Sequence, residues 1–143
     1  MNGFDGRTEQ GLALDVYSLS ANTWSTKSWA AGEGPSPRSV CTLLPVKISG
    51  RAYPVTMFDE SDPSNAGHMG AEKMLSDVWA DDVEAEEWQQ VETRIEGGGQ
   101  SPAPRGWFAA DVLPNCKRNR VLVQGGLGES NERLGDVWVL ALA

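Results

Sequence analysis

Short alternations of apolar and polar residues, closed by glycine, proline or asparagine, run through the chain and predict β-strands rather than helices. The clearest stretch is Arg120 to Trp138, RVLVQGGLGESNERLGDVW. An apolar run (Val121, Leu122, Val123) stops at Gly125-Gly126, and a second one opens at Asp136-Val137-Trp138. By the same pattern LALDVYSLS and Asn22 to Ser28 read as a strand pair. SVCTLLPV, RAYPVTMF, DVWADDV and EWQQVET read as four strands, and GWFAADVL, RVLVQGG and DVWVLAL as three. One segment has a competing period: Val83, Trp88, Val91 and Ile95, among Ala and Glu, fit the apolar stripe of a helix. Its counterpart SLSANTWSTKSW is rich in Ser and Thr and is a poor helix former, which favours strands for both.

The pattern repeats. Asp-Val-aromatic occurs at Asp15, Asp77 and Asp136, and Pro35-Ser36-Pro37-Arg38 returns 67 residues on as Pro102-Ala103-Pro104-Arg105. Gly50-Arg51 through Asp59-Glu60-Ser61 aligns, at a spacing of 69, on Asn119-Arg120 through Gly128-Glu129-Ser130, which sets Thr56-Met57 opposite the glycine pair. Trp24 and Trp88 each follow an Asp-Val-aromatic element, by nine and eleven positions. One unit is therefore Pro-x-Pro-Arg, two strands ending at a glycine pair, an Asp-Val-Trp strand, and a fourth strand with its own Trp. This order resembles the kelch repeat, in which each unit is one four-stranded blade of a β-propeller; such repeats run at about 50 residues. The resemblance implies an all-β chain of about two to three antiparallel blades in an incomplete ring. Residues 1–34 form a partial blade, 35–100 a full blade with a long loop at 59–75, and 101–143 a partial blade lacking its fourth strand. Propellers close with about 4–8 blades. The expectation is therefore the C-terminal part of a larger propeller, or a chain that self-assembles to close a ring.

A chain of 143 residues with 40% hydrophobic content and six tryptophans can bury a core of its own. Its net charge of −8 and pI near 4.6 argue against nucleic acid and anionic membrane as partners, since both attract cationic surface. Cys41 and Cys116 lack metal-type spacing and read as reduced residues. No apolar run approaches the ~18 residues of a membrane span, and a cytoplasmic protein is expected.

Chemistry gathers in two places. Glu60, Asp62 and His68 crowd the long loop, where carboxylate and imidazole suit a divalent metal such as iron(II). The alternative is that Asp62-Pro63-Ser64-Asn65 is a plain turn before a solvated histidine. The run from Glu60 to His68, continued by Met69-Gly70-Ala71, is similar to the loop of kelch nitrile-specifier proteins. In those proteins a Glu-x3-Asp-x3-His set holds iron(II) for redirecting glucosinolate breakdown. The resemblance places the outer ligands on Glu60 and His68; the middle position is Ser64, for which Asp62 would have to substitute.

Arg38 and Arg105 each open an inner strand after Pro-x-Pro. They either face the propeller's mouth, where a guanidinium can grip a carboxylate or sulfate, or serve the blades themselves, capping backbone carbonyls or pairing with an acid from a neighbouring blade. Trp107 does not repeat, having Val40 opposite, and so stands with Arg38 and Arg105 as a ligand-binding candidate. The acidic run Asp81, Asp82, Glu84, Glu86 and Glu87 reads as a solvated hairpin tip. No catalytic triad order or phosphate-cradling glycine loop is present. The expected function is recognition of a protein or small anionic ligand by loops at one mouth, as a binding module rather than an enzyme. The alternative is an iron(II)-dependent nitrile-specifier-like protein acting on glucosinolate-type anions.

Overall fold

The computed structural model describes residues 3–61, 73–93, 99–114 and 119–142, and these are all-β, with no helix among them. The strands are β1 (Gly3–Phe4), β2 (Glu9–Gln10), β3 (Ala13–Ser18), β4 (Thr23–Ser28), β5 (Leu44–Ile48), β6 (Arg51–Met57), β7 (Glu60–Ser61), β8 (Lys73–Met74), β9 (Val78–Asp82), β10 (Glu87–Gln90), β11 (Ala109–Val112), β12 (Arg120–Leu127) and β13 (Arg133–Ala141). They form antiparallel sheets in the orders β3-β4, β10-β9-β6-β5 and β11-β12-β13, with two small hairpins, β1-β2 and β7-β8. No helix among the described residues is long and apolar enough to cross a membrane.

Local chemistry explains the elements. Ser49 and Gly50 both have positive φ (50° and 88°), the two-residue turn whose twist suits a hairpin, and they set Ile48 opposite Arg51. Pro45 is tolerated because β5 is a sheet edge. Pro54 is tolerated because β9 pairs only with Val55, Thr56 and Met57 of β6. Residues 78–90 settle as a hairpin, not a helix. Asp82 Oδ1 accepts from the amides of Glu84 and Ala85 at 3.0 and 2.9 Å, closing the turn, and Glu86 takes the left-handed conformation there.

The core lies between the four-stranded and three-stranded sheets. Val46, Val55, Met57, Phe58, Val78 and Ala80 from the first meet Val121, Val123, Leu140 and Leu142 from the second. Alternation supplies the two faces, and Phe58 meets Phe108 edge-on at 5.5 Å. Each fully buried valine there contributes about 1.5–3 kcal/mol through area removed from water.

The structure corrects the register of the repeat. Arg38 donates to Phe58 O and Arg105 to Gly125 O, each across 20 residues, and the isolated bridges Ser39–Glu60 and Gly106–Leu127 match each other in the same way, each across 21. Phe58-Asp59, not Thr56-Met57, therefore occupies the place of the glycine pair. Their φ values, 57° and 91°, match 60° and 112° at Gly125 and Gly126. The connection to the Asp-Val-Trp strand is eight residues longer in the first copy, since the arginine-to-aspartate separations are 39 and 31. Trp24 and Trp88 are also not equivalent. Trp24 pairs across from Tyr17 and is 72% exposed, whereas Trp88 pairs across from Asp81 and packs on Trp29 at 5.3 Å.

Candidate functional site

Two arginines organise the ends of the sheets. Arg38 is fully buried. It donates from Nη1 and Nη2 to the two carboxylate oxygens of Asp77 at 2.9 Å each, from Nε to Ser36 O at 3.0 Å, from Nη1 to Phe58 O at 3.0 Å and from Nη2 to Ser36 Oγ at 3.2 Å. These contacts take up all five guanidinium N–H donors. Arg105, equally buried, repeats the set with Asp136 at 2.6 and 2.9 Å, Ala103 O at 3.0 Å and Gly125 O at 3.0 Å. The indole N–H two residues after each acid completes the motif: Trp79 donates to Asp77 at 2.6 Å and Trp138 to Asp136 at 2.5 Å. Burial works to raise the Asp77 carboxyl, but the hydrogen bonds and charge of Arg38, with Trp79, hold it below the usual range. The hydrogen bond from Arg105, then that from Trp138, holds Asp136 well below it. Asp15 instead accepts from Thr26 Oγ1 at 2.7 Å.

The arginine backbones clasp the preceding unit. Gly3 N donates to Arg38 O at 3.0 Å and Arg38 N to Gln10 O at 3.4 Å; Asp59 N donates to Arg105 O at 2.9 Å and Arg105 N to Leu75 O at 3.3 Å. Hairpins β1-β2 and β7-β8 thus hold equivalent positions. Lys27 of β4 adds an ion pair to the buried Asp81 of β9. The acidic run is accordingly not a uniformly solvated tip. Asp81 and Asp82 are buried and pair with Lys27 and Arg51, while Glu84, Glu86 and Glu87 are exposed.

The second junction carries the unusual chemistry. Asp59 is fully buried, and neither carboxylate oxygen has a hydrogen-bond partner. Burial pushes its carboxyl up to about 8, against the pull of the Arg38 charge and with the repulsion of Asp77. Glu60 next to it is 1% exposed, and its Oε2 accepts from Trp107 Nε1 at 3.3 Å. Trp107 follows Gly106, which lies close to Met74 Sδ and Glu60 N. It takes a left-handed φ of 58°, as Val40 does at 52° in the other copy, and leaves 46% of itself exposed. A bulky residue in that conformation is an outlier of the kind concentrated at functional sites.

Of the residues singled out from sequence, the structure brings Glu60 and Trp107 together and puts Arg105 one residue from Gly106. Arg38 stands at the neighbouring junction. Asp62 and His68 lie outside the described residues. Among the described residues no three His, Cys, Asp or Glu side chains form a metal-sized group. Asp59 escaped the sequence reading; the spacing of 20 residues from each arginine to its left-handed pair was the signal that would have found it.

Fold and site together define an all-β protein of repeated antiparallel sheets, two of which hold a buried arginine on an aspartate of their own unit and are clasped through that arginine's backbone to the preceding unit. No family profile matches the chain. Over 129 residues it is 27% identical to the Thlaspi arvense protein named N-(sulfonatooxy)prop-2-enimidothioate sulfolyase, covering 90% of this chain and 35% of that relative. The chain thus spans about a third of the length of the curated relative it matches.

Proposed function

We propose that the chain is a stretch of kelch-type β-propeller whose hairpin end, around Glu60, Trp107 and the two clasped junctions, recognises a ligand or a protein. The repeated junction carries this reading, because a clasp reused at one register is how neighbouring blades are set around a common axis. Unequal exposure at equivalent positions supports it. Val78 and Ala80 are 1% and 4% exposed, whereas Val137 and Val139, their counterparts on the last sheet, are 57% and 51% exposed. A further blade would cover them. Light scattering of the chain is expected to give species larger than 15.4 kDa, shifted toward monomer by the double substitution Val137→Lys and Val139→Lys. A stable monomer with a well-dispersed spectrum would contradict the incomplete ring.

A second reading is an iron(II)-dependent, specifier-like activity on an anionic, sulfate-bearing substrate; the sulfonatooxy group in the relative's name supports the substrate class. Glu60, Asp62 and His68 would hold the metal. The buried Glu60 carboxylate, positioned by Trp107, suits a ligand, and bound iron(II) would supply a Lewis-acidic or redox centre. Iron(II) uptake measured anaerobically on the intact chain, and on Glu60→Ala and His68→Ala, tests it. Stoichiometric uptake lost in both variants is expected, and uptake unchanged in either removes the reading.

A further inference from the structure

With the guanidinium of Arg38 spent on Asp77, Phe58 O and Ser36, and that of Arg105 on Asp136 and two backbone carbonyls, an anion must be met by other cations. Two converge on one cleft. Between hairpins β1-β2 and β7-β8 lies a cavity of about 490 Å³ lined by Arg7, Thr8, Glu9, Ser36, Ser61 and Lys73, with Pro37 and Leu75. That is the size of a small organic molecule rather than a bare ion. Arg7 and Lys73 are exposed, and no carboxylate is paired with either among the described residues. Two carboxylates lie nearby: Asp5 is exposed at the β1-β2 turn, and Glu9 itself lines the cleft with its Oε2 buried. Asp5 accepts from the amides of Arg7 and Thr8 at 2.8 Å each and from Gln10 Nε2 at 3.0 Å, which fixes the turn that carries Arg7. Glu9 Oε1 accepts from Ser39 Oγ at 2.9 Å. Ser36 Oγ accepts from Arg38 at 3.2 Å, so its own hydrogen is available to a ligand.

We infer that this inter-hairpin cleft is a binding site for a small organic anion, its sulfate or carboxylate head held between Arg7 and Lys73 and hydrogen-bonded by Ser36. The inference rests on the reading of this end of the sheets as the ligand-recognition end, and it requires no metal. The test is an amide-shift titration of the intact protein with phenyl sulfate, phenylacetate and inorganic sulfate, in buffer containing a chelator so that failure of the iron(II) reading leaves it untouched.

Saturable shifts at Thr8 and Ser61 are expected with phenyl sulfate or phenylacetate. They should weaken at least about tenfold in the Arg7→Ala/Lys73→Ala variant and with added salt, as expected for exposed charges, and survive in Arg120→Ala, which removes a cation elsewhere. Both targets are exposed, so circular dichroism should show an unchanged fold. Unaltered binding in the double variant, or no saturable shift with either organic anion, overturns the site. Inorganic sulfate binding as tightly as phenyl sulfate overturns its assignment to organic anions.

Discussion

Asp59 is a carboxylate where the other copy of the unit has a glycine, and two costs meet there. A left-handed backbone is easy for Gly126 and unfavourable for a residue with a Cβ, by about 1–2 kcal/mol, and a buried carboxylate without a partner holds its proton. Asp59→Gly is therefore expected to stabilise the fold by roughly that much at neutral pH, read as a rise of several degrees in melting temperature. The sign of the pH effect follows from a folded-state value of about 8 against an ordinary 3.8. The folded chain binds more protons between those values, so the contribution of Asp59 is fully present below the lower one and is lost as pH rises through the upper one. Asp77 and Asp136, held low, act oppositely: their contribution is present above the ordinary carboxylate value and is lost as pH falls below it. In Asp59→Gly the alkaline loss should vanish while the acid loss persists. A variant less stable than the parent, with the alkaline slope intact, would sink this account of the residue. Sequence reading missed Asp59 because an alignment by composition slid the strand two places, putting Thr56-Met57 where the backbone puts Phe58-Asp59.

At the scale of the element, the strands were legible and their equivalences less so. Period-two alternation located the strands of all three sheets, and the poor helix propensity of SLSANTWSTKSW pointed correctly to strands for residues 78–90. The small hairpins β1-β2 and β7-β8 gave no such signal, being two residues a side and held by the clasp to a neighbouring arginine. Matching tryptophans by distance from Asp-Val-aromatic failed because the β9-β10 hairpin extends beyond the β3-β4 hairpin. Trp79 lies across from Gln90 where Tyr17 lies across from Trp24. Equivalent positions that differ in burial separate packing from propensity. Val78→Ala should cost roughly 2 kcal/mol in urea unfolding, and Val137→Ala, measured at a concentration where the chain is monomeric, less than about 0.5. Equal costs there would mean that the outer face of the last sheet is packed within the single chain.

For the whole molecule, the Pro-x-Pro-Arg and Asp-Val-aromatic motifs marked the parts that matter, but not that they meet. That the arginine of each unit is spent on the aspartate of the same unit needs the strand between them in place, and neither spacing nor composition reports it. The loop chemistry was legible only in part: Glu60 and Trp107 come together across 47 residues, while Arg7 and Lys73 share a cleft only because two equivalent hairpins are clasped side by side. The most direct test of the repeated architecture is a pair of double-mutant cycles in urea unfolding, Arg38→Met with Asp77→Asn and Arg105→Met with Asp136→Asn. Repeated units predict coupling of the same sign and similar size in both, roughly 1–3 kcal/mol; coupling in one pair and none in the other would contradict them.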